Sequence, residues 1–371
     1  MCWRGFWGMR DFERRIKKNE PFFPAFVMIS ITDACNYSCR GCWVSNVGKK
    51  LELEQIQKII NAAKQKGSYF FGLLGGEPLV HKDLLKILQN NPDCYFQIFT
   101  NGSLLTEKFA FELQKVGNAT VLISLEGLKE ESARRRGAEN AFEDALKAME
   151  NCKKARLFWG VASSVCKSNL NELASKEHAD FLAKRGAHYL WYYIYRPVGL
   201  EPDPNLALNE DEIFFLRKKI VDLRQSAPLV IIDAYWDDKG RAICPAASGM
   251  SHHISPAGDL EFCPPIQFAM ENISDCDITE LFANSKFLAD FRSFTSKRSR
   301  GCILLEDPAA LKEFLVSQNA YATSGRQKSL DEIAAMLPQA GHDMKDKAIP
   351  EKGFIYKRLK KKYFFGFGSY G

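Results

Sequence analysis

Three thiols placed within eight residues constrain this chain more than any other feature. Cys35-Asn36-Tyr37-Ser38-Cys39-Arg40-Gly41-Cys42 spaces them as C-x3-C-x2-C directly after an apolar, strand-like run. Cysteines that close cannot all pair with one another as disulfides, and in a long enzyme-like chain such a trio acts as ligands for a metal or cluster. On a cube of four irons and four sulfides, three thiolates leave one iron without a protein ligand, which opens a position for chemistry. The rest of the chain is expected to serve that position.

The 371 residues, 46% apolar and 26% charged, suffice for one large domain and a smaller appendage. No apolar run approaches the ~20 residues of a membrane span, and the first ten residues lack the apolar stretch of a secretory signal. Cytoplasmic residence is expected, and eleven cysteines without an even disulfide framework fit a reducing compartment. The net charge of +6 is concentrated at one end, because residues 345–371 hold eight bases against Asp346 and Glu351. Within that tail, Tyr356-Lys357-Arg358-Leu359-Lys360-Lys361-Lys362-Tyr363-Phe364-Phe365 interleaves bases with aromatics. This composition suits either a solvated tail or a surface for anionic lipid, nucleic acid or an acidic peptide. Residues 1–22 repeat it more weakly, so peripheral membrane contact through the basic aromatic ends is one expectation, and no nucleic acid partner is expected.

From residue 26 onward, short apolar runs alternate with amphipathic stretches, which argues for repeated βα units on a parallel sheet. Strands are expected over 26–32, 69–74, 94–100, 120–125, 157–165 and 189–195, and helices over 52–66, 82–89, 106–116, 141–154, 170–185 and 210–224. In the first helix Leu53, Ile56, Ile59, Ile60 and Ala63 recur at helical spacing, which is a core-packing signal. The predicted class is α/β, a partial (β/α)6 TIM-like barrel over 23–229. In such sheets ligands collect at the carboxyl ends of the strands. The motifs agree, since the cysteine trio follows the first strand, Gly75-Gly76-Glu77-Pro78 the second, Thr100-Asn101-Gly102 the third and Ser124-Leu125-Glu126-Gly127 the fourth. Past a proline-rich bend at 196–204 the texture changes, and a smaller α+β domain is placed at 230–308, followed by helical cover and the basic tail at 309–371.

These motifs resemble the radical S-adenosylmethionine (SAM) enzymes, on the strength of Cys35, Cys39, Cys42 and the following Gly75-Gly76-Glu77-Pro78. The resemblance implies that the three cysteines hold a 4Fe-4S cluster whose open iron chelates the amino and carboxylate groups of S-adenosyl-L-methionine. Reduction then releases methionine and a 5′-deoxyadenosyl radical, which takes a hydrogen from substrate. In this family the glycine-rich strand end meets the methionyl amino group, with Glu77 as hydrogen-bond acceptor and Pro78 stiffening the turn. Asn101, Ser124, Glu126 and Ser163 or Ser164 are the further cofactor-binding candidates; the same polar residues also suit plain helix caps. One of Arg134, Arg135 and Arg136 is a candidate carboxylate anchor. Tyr37 and Trp43 flank the trio, as cofactor neighbours or as core. His252 and His253 are adjacent, so only one can face a site if the run is extended, and a satisfied structural role is expected for both.

A second cysteine set, Cys244, Cys263, Cys276 and Cys302, resembles the truncated "twitch" form of the auxiliary domain known in this family as SPASM. One auxiliary 4Fe-4S cluster is implied, with Cys244, Cys263 and Cys302 as ligands and Cys276 or an open iron in the fourth place. Residues 254–264 read as a hairpin turning at Ala257-Gly258. The resemblance implies an iron-sulfur oxidoreductase acting on a peptide or protein side chain, fed by a flavodoxin- or ferredoxin-type reductant. The alternatives are radical modification of a lipid or small anionic substrate at a membrane surface, and a non-catalytic iron-sulfur electron-transfer protein. No protein side chain beyond the cluster is assigned a catalytic role.

Overall fold

The computed structural model describes residues 2–18, 23–199, 201–326 and 328–360. After an N-terminal helix α1 (Cys2–Lys18), strand β1 (Phe26–Ser30) is buried along its whole length, as a continuous apolar run covered on both faces should be. Six more parallel strands follow beside it in chain order: β2 (Phe70–Leu74), β3 (Tyr95–Thr100), β4 (Ala119–Ser124), β5 (Trp159–Val165), β6 (Tyr189–Ile194) and β7 (Val230–Asp233). The crossovers carry α2 (Leu53–Gln65), α3 (Leu84–Gln89), α4 (Glu107–Val116), α5 (Lys129–Arg136), α6 (Ala141–Lys154), α7 (Leu170–Leu173), α8 (Lys176–Arg185) and α9 (Glu210–Ser226). The helix expected over 170–185 is two helices, because Ser175 Oγ accepts from His178 N and caps a new one. The short α5 lies where only an arginine run was read, since its charged sequence carries little apolar periodicity.

Three strands from residue 230 onward share this sheet. β7 extends it past β6, and β8 (Ser251–Ile254) runs parallel to β1 on the side away from β2, with Met28 opposite His253. β9 (Leu260–Glu261) returns antiparallel to β8 through the expected turn, where Gly258 has φ +89°. The strand that feeds the cysteine trio is therefore interior, and β8 satisfies backbone groups that an edge would leave open. The sheet ends in β7 and β9 without closing, as a partial TIM-like barrel does. Alternation along its strands turns Leu122, Ala162, Tyr189, Trp191 and Ile232 into an apolar layer distinct from the larger core between sheet and helices.

The remaining chain builds α10 (Ile278–Asn284), α11 (Lys286–Ser296), α12 (Ile303–Glu306), α13 (Pro308–Ser317), α14 (Ser329–Ala335) and α15 (Phe354–Arg358). Between them β10 (Phe268–Ala269) pairs antiparallel with β11 (Tyr321–Ala322). The end of the described chain is tied to the barrel by charge. Arg217, Arg224, Asp233, Glu351 and Lys360 meet with fully buried side chains, at 2.6 Å for Arg224–Asp233, 2.8 Å for Arg217–Glu351 and 3.1 Å for Lys360–Asp233. Carbonyls of Ile349, Ile231 and Trp236 accept the remaining donors. Burial alone raises the Asp233 pKa, but Lys360, Arg224 and Arg217 outweigh it and hold the carboxyl well below the usual range. Tyr356 and Lys360, read in sequence as part of an interfacial tail, are thus turned toward β7, with Tyr356 Oη accepting from Ile231 N. Lys361, Lys362, Tyr363, Phe364 and Phe365 lie outside the described residues. No described helix is long and apolar enough to cross a membrane.

Two predictions follow from these buried charges. Asp233→Asn leaves three cations facing one carboxylate and should lower stability by about 3–5 kcal/mol in urea unfolding. His178 on α8 is buried, which pushes its pKa down to about 4, against about 6.5 when unfolded. Its neutral form is favoured in the fold, so its contribution is complete above pH ~6.5 and is lost as pH falls toward 4. The stability difference between the parent and His178→Gln, measured at pH 7 and pH 4.5, should shrink at the lower pH by about 2 kcal/mol.

Candidate metal centre and its cavity

The loop that carries Cys35, Cys39 and Cys42 leaves the carboxyl end of β1 and is held on several sides by backbone. Ile31 N donates to Leu74 O at 3.0 Å, Gly76 N to Thr32 O at 2.8 Å and Glu77 N to Ala34 O at 2.8 Å, which zips the loop to the strand end after β2. A Cβ on Gly76 would sit 2.4 Å from the carbonyl oxygens of Asp33 and Ala34, so only glycine permits this approach. On another side Arg40 N donates to Arg135 O at 3.2 Å, and Gly137, at φ +61°, packs against Ser38 O. The Arg-Gly element and the Gly-Gly-Glu-Pro element therefore clasp one loop between them.

Within the loop, Cys42 N donates to Cys39 O at 3.2 Å, and Cys35 Sγ accepts from Tyr37 N at 3.4 Å. Burial pushes the Cys35 thiol pKa up, and burial followed by the charge of Cys39 pushes Cys42 up to about 11. Arg136 is the cation beside them. Burial opposes its charge, but Glu126 and Cys39 outweigh that and raise its pKa. Arg134 instead pairs with Glu131 at the surface, and Arg135 lies over the Tyr195 ring at 4.4 Å, so Arg136 alone of the three faces the trio and Glu126.

The other expected residues divide. Asn101, Ser124, Glu126 and Ser164 line the same cavity as the trio. Glu126 Oε1 accepts from Arg136 at 2.5 Å and Oε2 from Ser164 N at 2.9 Å, while Asn101 Nδ2 donates to Asn36 Oδ1 at 2.9 Å. Ser163 is on the opposite face of β5, donating to Leu125 O at 2.7 Å. Glu77 departs from its expected role as an acceptor facing the ligand. It is fully buried, accepting from Thr100 Oγ1 at 2.7 Å, Leu79 N at 3.1 Å and Asn101 N at 2.7 Å. Its carboxylate joins two strand ends, Pro78 is buried beneath it, and what the motif shows to the cavity is the Gly75-Gly76 backbone. Tyr37 Oη donates to Asp144 Oδ2 at 2.5 Å, and Trp43 packs edge-on to His253 at 5.8 Å.

Cys244, Cys263 and Cys302 line the same cavity, whose volume is about 360 Å³. Burial raises the thiol pKa of Cys244 to about 11, with Cys302 adding to it, and raises Cys263 still further, with Cys244 adding to it. Cys276 is not with them. It is exposed, contacts Asp277 O and has Glu280, Asp275 and Asp277 around it, so it does not complete this set. Phe99, Tyr193, Arg196 and Tyr235 line the same cavity. The hydroxyl of Tyr193 and the indole nitrogen of Trp191 are buried with no hydrogen-bond partner among the described residues.

Sequence reasoning missed the residues that brace the trio from afar. Arg326 Nη1 donates to Trp43 O at 2.9 Å and to Ser45 Oγ at 3.2 Å, while its Nε pairs with Glu332. His253 meets Ser30 Oγ at 2.7 Å and Glu261 Oε2 at 2.5 Å, all buried, which is the structural role expected of it. His252 faces the other way, beside Phe262 O and the Phe282 ring.

The donor sets fit iron-sulfur chemistry: two groups of three free thiols, each facing one cavity and each beside an arginine. Among the described residues no three of His, Cys, Asp or Glu converge closely enough for a single metal ion; a four-iron cube spaces its thiolates more widely than one ion does. Comparison with known proteins agrees in kind. Residues 29–184 match the Radical SAM superfamily. The chain is 29% identical over 153 residues to Fe-coproporphyrin III synthase of Methanosarcina barkeri, covering 40% of this chain and 38% of that protein. It is 23% identical over 335 residues to PqqA peptide cyclase of Bradyrhizobium diazoefficiens, covering 85% and 87%. The crystal structure of Streptococcus suis SuiB bound to precursor peptide SuiA shares the fold with TM-score 0.65 at 17% identity, covering 78% and 72%. The chain spans less than half the length of several curated relatives that it matches. The match places a Radical SAM domain over residues 29–184, and that family implies a 4Fe-4S cluster and S-adenosylmethionine.

The close approach at Gly76 gives a direct test. Gly76→Ala must force two backbone segments apart and should lower stability by about 1–3 kcal/mol in urea unfolding.

Proposed function

We propose that this protein is a radical SAM oxidoreductase that abstracts hydrogen from a peptide or protein side chain, with an auxiliary 4Fe-4S cluster beside the substrate. The observation that carries this reading is one cavity lined both by Cys35, Cys39, Cys42 and the Gly75-Gly76 backbone and by Cys244, Cys263 and Cys302. In it the first trio holds the SAM-binding cluster and the second trio, in the twitch-like arrangement, holds the auxiliary one. When bound, the first cluster supplies the electron that cleaves S-adenosylmethionine to methionine and a 5′-deoxyadenosyl radical.

The chain's own residues bind and orient. The backbone at Gly75 and Gly76 receives the methionyl end of the cofactor, and Ser124, Ser164 and Asn101 offer hydrogen bonds along the strand ends. Glu126 accepts from hydroxyls, and Arg136 offsets the negative charge of the ligated trio. Phe99, Tyr193 and Trp43 keep the cavity apolar, which limits water where a reactive radical forms. The unpartnered Tyr193 hydroxyl is a donor for the substrate. A peptide substrate is favoured over the nucleotide of the GTP 3′,8-cyclases among the relatives by the match to PqqA peptide cyclase over 85% of this chain.

Anaerobic reconstitution with iron, sulfide, dithionite and S-adenosylmethionine tests the reading. Cys39→Ala should yield no 5′-deoxyadenosine by chromatography and hold about 4 rather than about 8 irons per chain. Cys263→Ala should still cleave the cofactor without coupling to substrate. A parent protein that loads iron but forms no 5′-deoxyadenosine sinks the proposal.

A further inference from the structure

Arg196 stands just after β6 at the point where the sheet meets the second trio, and its side chain faces the cavity. Its Nε donates to Cys302 Sγ at 3.2 Å, its Nη1 lies 3.5 Å from Tyr235 Oη, and its guanidinium carbon is 5.5 Å from the Tyr235 ring centroid. Tyr235 Oη accepts from Ile194 N at 3.0 Å, so the phenol is pinned to the end of β6 and steadies the arginine. The groups that most favour its charge against burial are Tyr235, Cys302 and Cys263, with no carboxylate of the described residues prominent among them. A guanidinium cannot lose its proton, and in a partly dry cavity its charge needs a counter-charge. The nearest group able to supply one is the trio of cysteines once they are thiolates.

We propose that Arg196 is a positioning residue for the auxiliary cluster: its N–H bond to the Cys302 sulfur and its fixed positive charge raise that cluster's reduction potential. Reduction adds one electron to the cluster, and a cation with an N–H···S bond stabilises the more negative form. The raised potential makes the auxiliary cluster the easier of the two to reduce and suits it to take an electron from a substrate radical. Arg136 has a comparable place beside the first trio, but there its charge is shared with Glu126, whereas Arg196 has no carboxylate partner among the described residues. The inference rests on the reading of Cys244, Cys263 and Cys302 as cluster ligands.

The test uses the full chain with Cys35, Cys39 and Cys42 all changed to alanine, so that only the auxiliary cluster loads. Iron content should be about 4 per chain. A potentiometric titration followed by electron paramagnetic resonance then compares Arg196 with Arg196→Met. Loss of the arginine should shift the reduction equilibrium toward the oxidised form by about tenfold, 59 mV for a one-electron couple, and Arg196→Lys should recover part of that shift. A reduction equilibrium unchanged within about twofold in Arg196→Met overturns the proposal while leaving the two-cluster reading intact. If Arg196→Met fails to hold iron, Arg196→Gln, which keeps a donor without the charge, carries the comparison with the same two outcomes. Absence of iron from the triple alanine chain overturns the two-cluster reading and this proposal with it.

Discussion

The contact on which the rest depends is the backbone zipper between residues 31–34 and 74–77. Two loops, each following a parallel strand, exchange main-chain hydrogen bonds at 2.8 to 3.0 Å with no side chain between them. A cluster loop on its own is irregular backbone with unsatisfied groups, and such segments are mobile unless something else supplies partners. Here the strand end after β2 supplies them, so the thiols hang from a rigid edge of the sheet. The same closeness delivers the Gly75-Gly76 main chain to the cavity beside the cysteines. Glu77 secures the arrangement from below by tying the second strand end to the third.

Charge is distributed around the cavity with a plain logic. Each trio faces one arginine, Arg136 at the first and Arg196 at the second, and both come from loops or helix ends that reach the cavity only because consecutive strands share a direction. Ligated thiolates are anionic, and a buried anion without a counter-charge is unfavourable. On the proposed two-cluster reading, the two cations stabilise the loaded state more than the empty one. By contrast, the five-member charge cluster around Asp233 uses its ions for architecture, fastening the C-terminal segment to β7.

The second cysteine set is less a separate domain than a continuation of the barrel. β8 lies directly against β1, so the first trio, which follows β1, and Cys244, which precedes β8, flank neighbouring strands. The buried line from Ser30 through His253 to Glu261 and Thr323 joins them to β9 and to the segment that holds Arg326. That arginine in turn grips the backbone just after Cys42. Relative placement of the two trios is therefore built into one hydrogen-bonded body.

Local pattern was enough for the strands and most helices of the βα repeat, where apolar periodicity is present and some ends carry caps, such as Thr106 before α4 and Asn209 before α9; it failed at α5, whose charged sequence has little periodicity, and at the break between α7 and α8. The trio, the glycine-rich strand end and the hairpin before Cys263 were equally legible, since their chemistry depends on spacing along a few residues. What only tertiary structure decided involves partners far apart in the chain. That Arg136, and not Arg134 or Arg135, faces the thiols is set by the pitch of a short charged helix against a loop nearly a hundred residues earlier. That Ser164 faces the cavity and Ser163 does not is set by the pleat of β5. Glu77 turned inward because the third strand end offered it two donors, Thr100 Oγ1 and Asn101 N, and its own turn a third, Leu79 N; Cys276 lies apart from Cys244, Cys263 and Cys302 because it is exposed between the 273–275 turn and the Asp277 cap of α10. The cysteine spacing determined which chemistry the chain can host, through the fixed geometry of a cluster; the packing of β1 between β2 and β8 determined where that chemistry meets a second site, because strand neighbours are chosen by long-range pairing that no local pattern encodes.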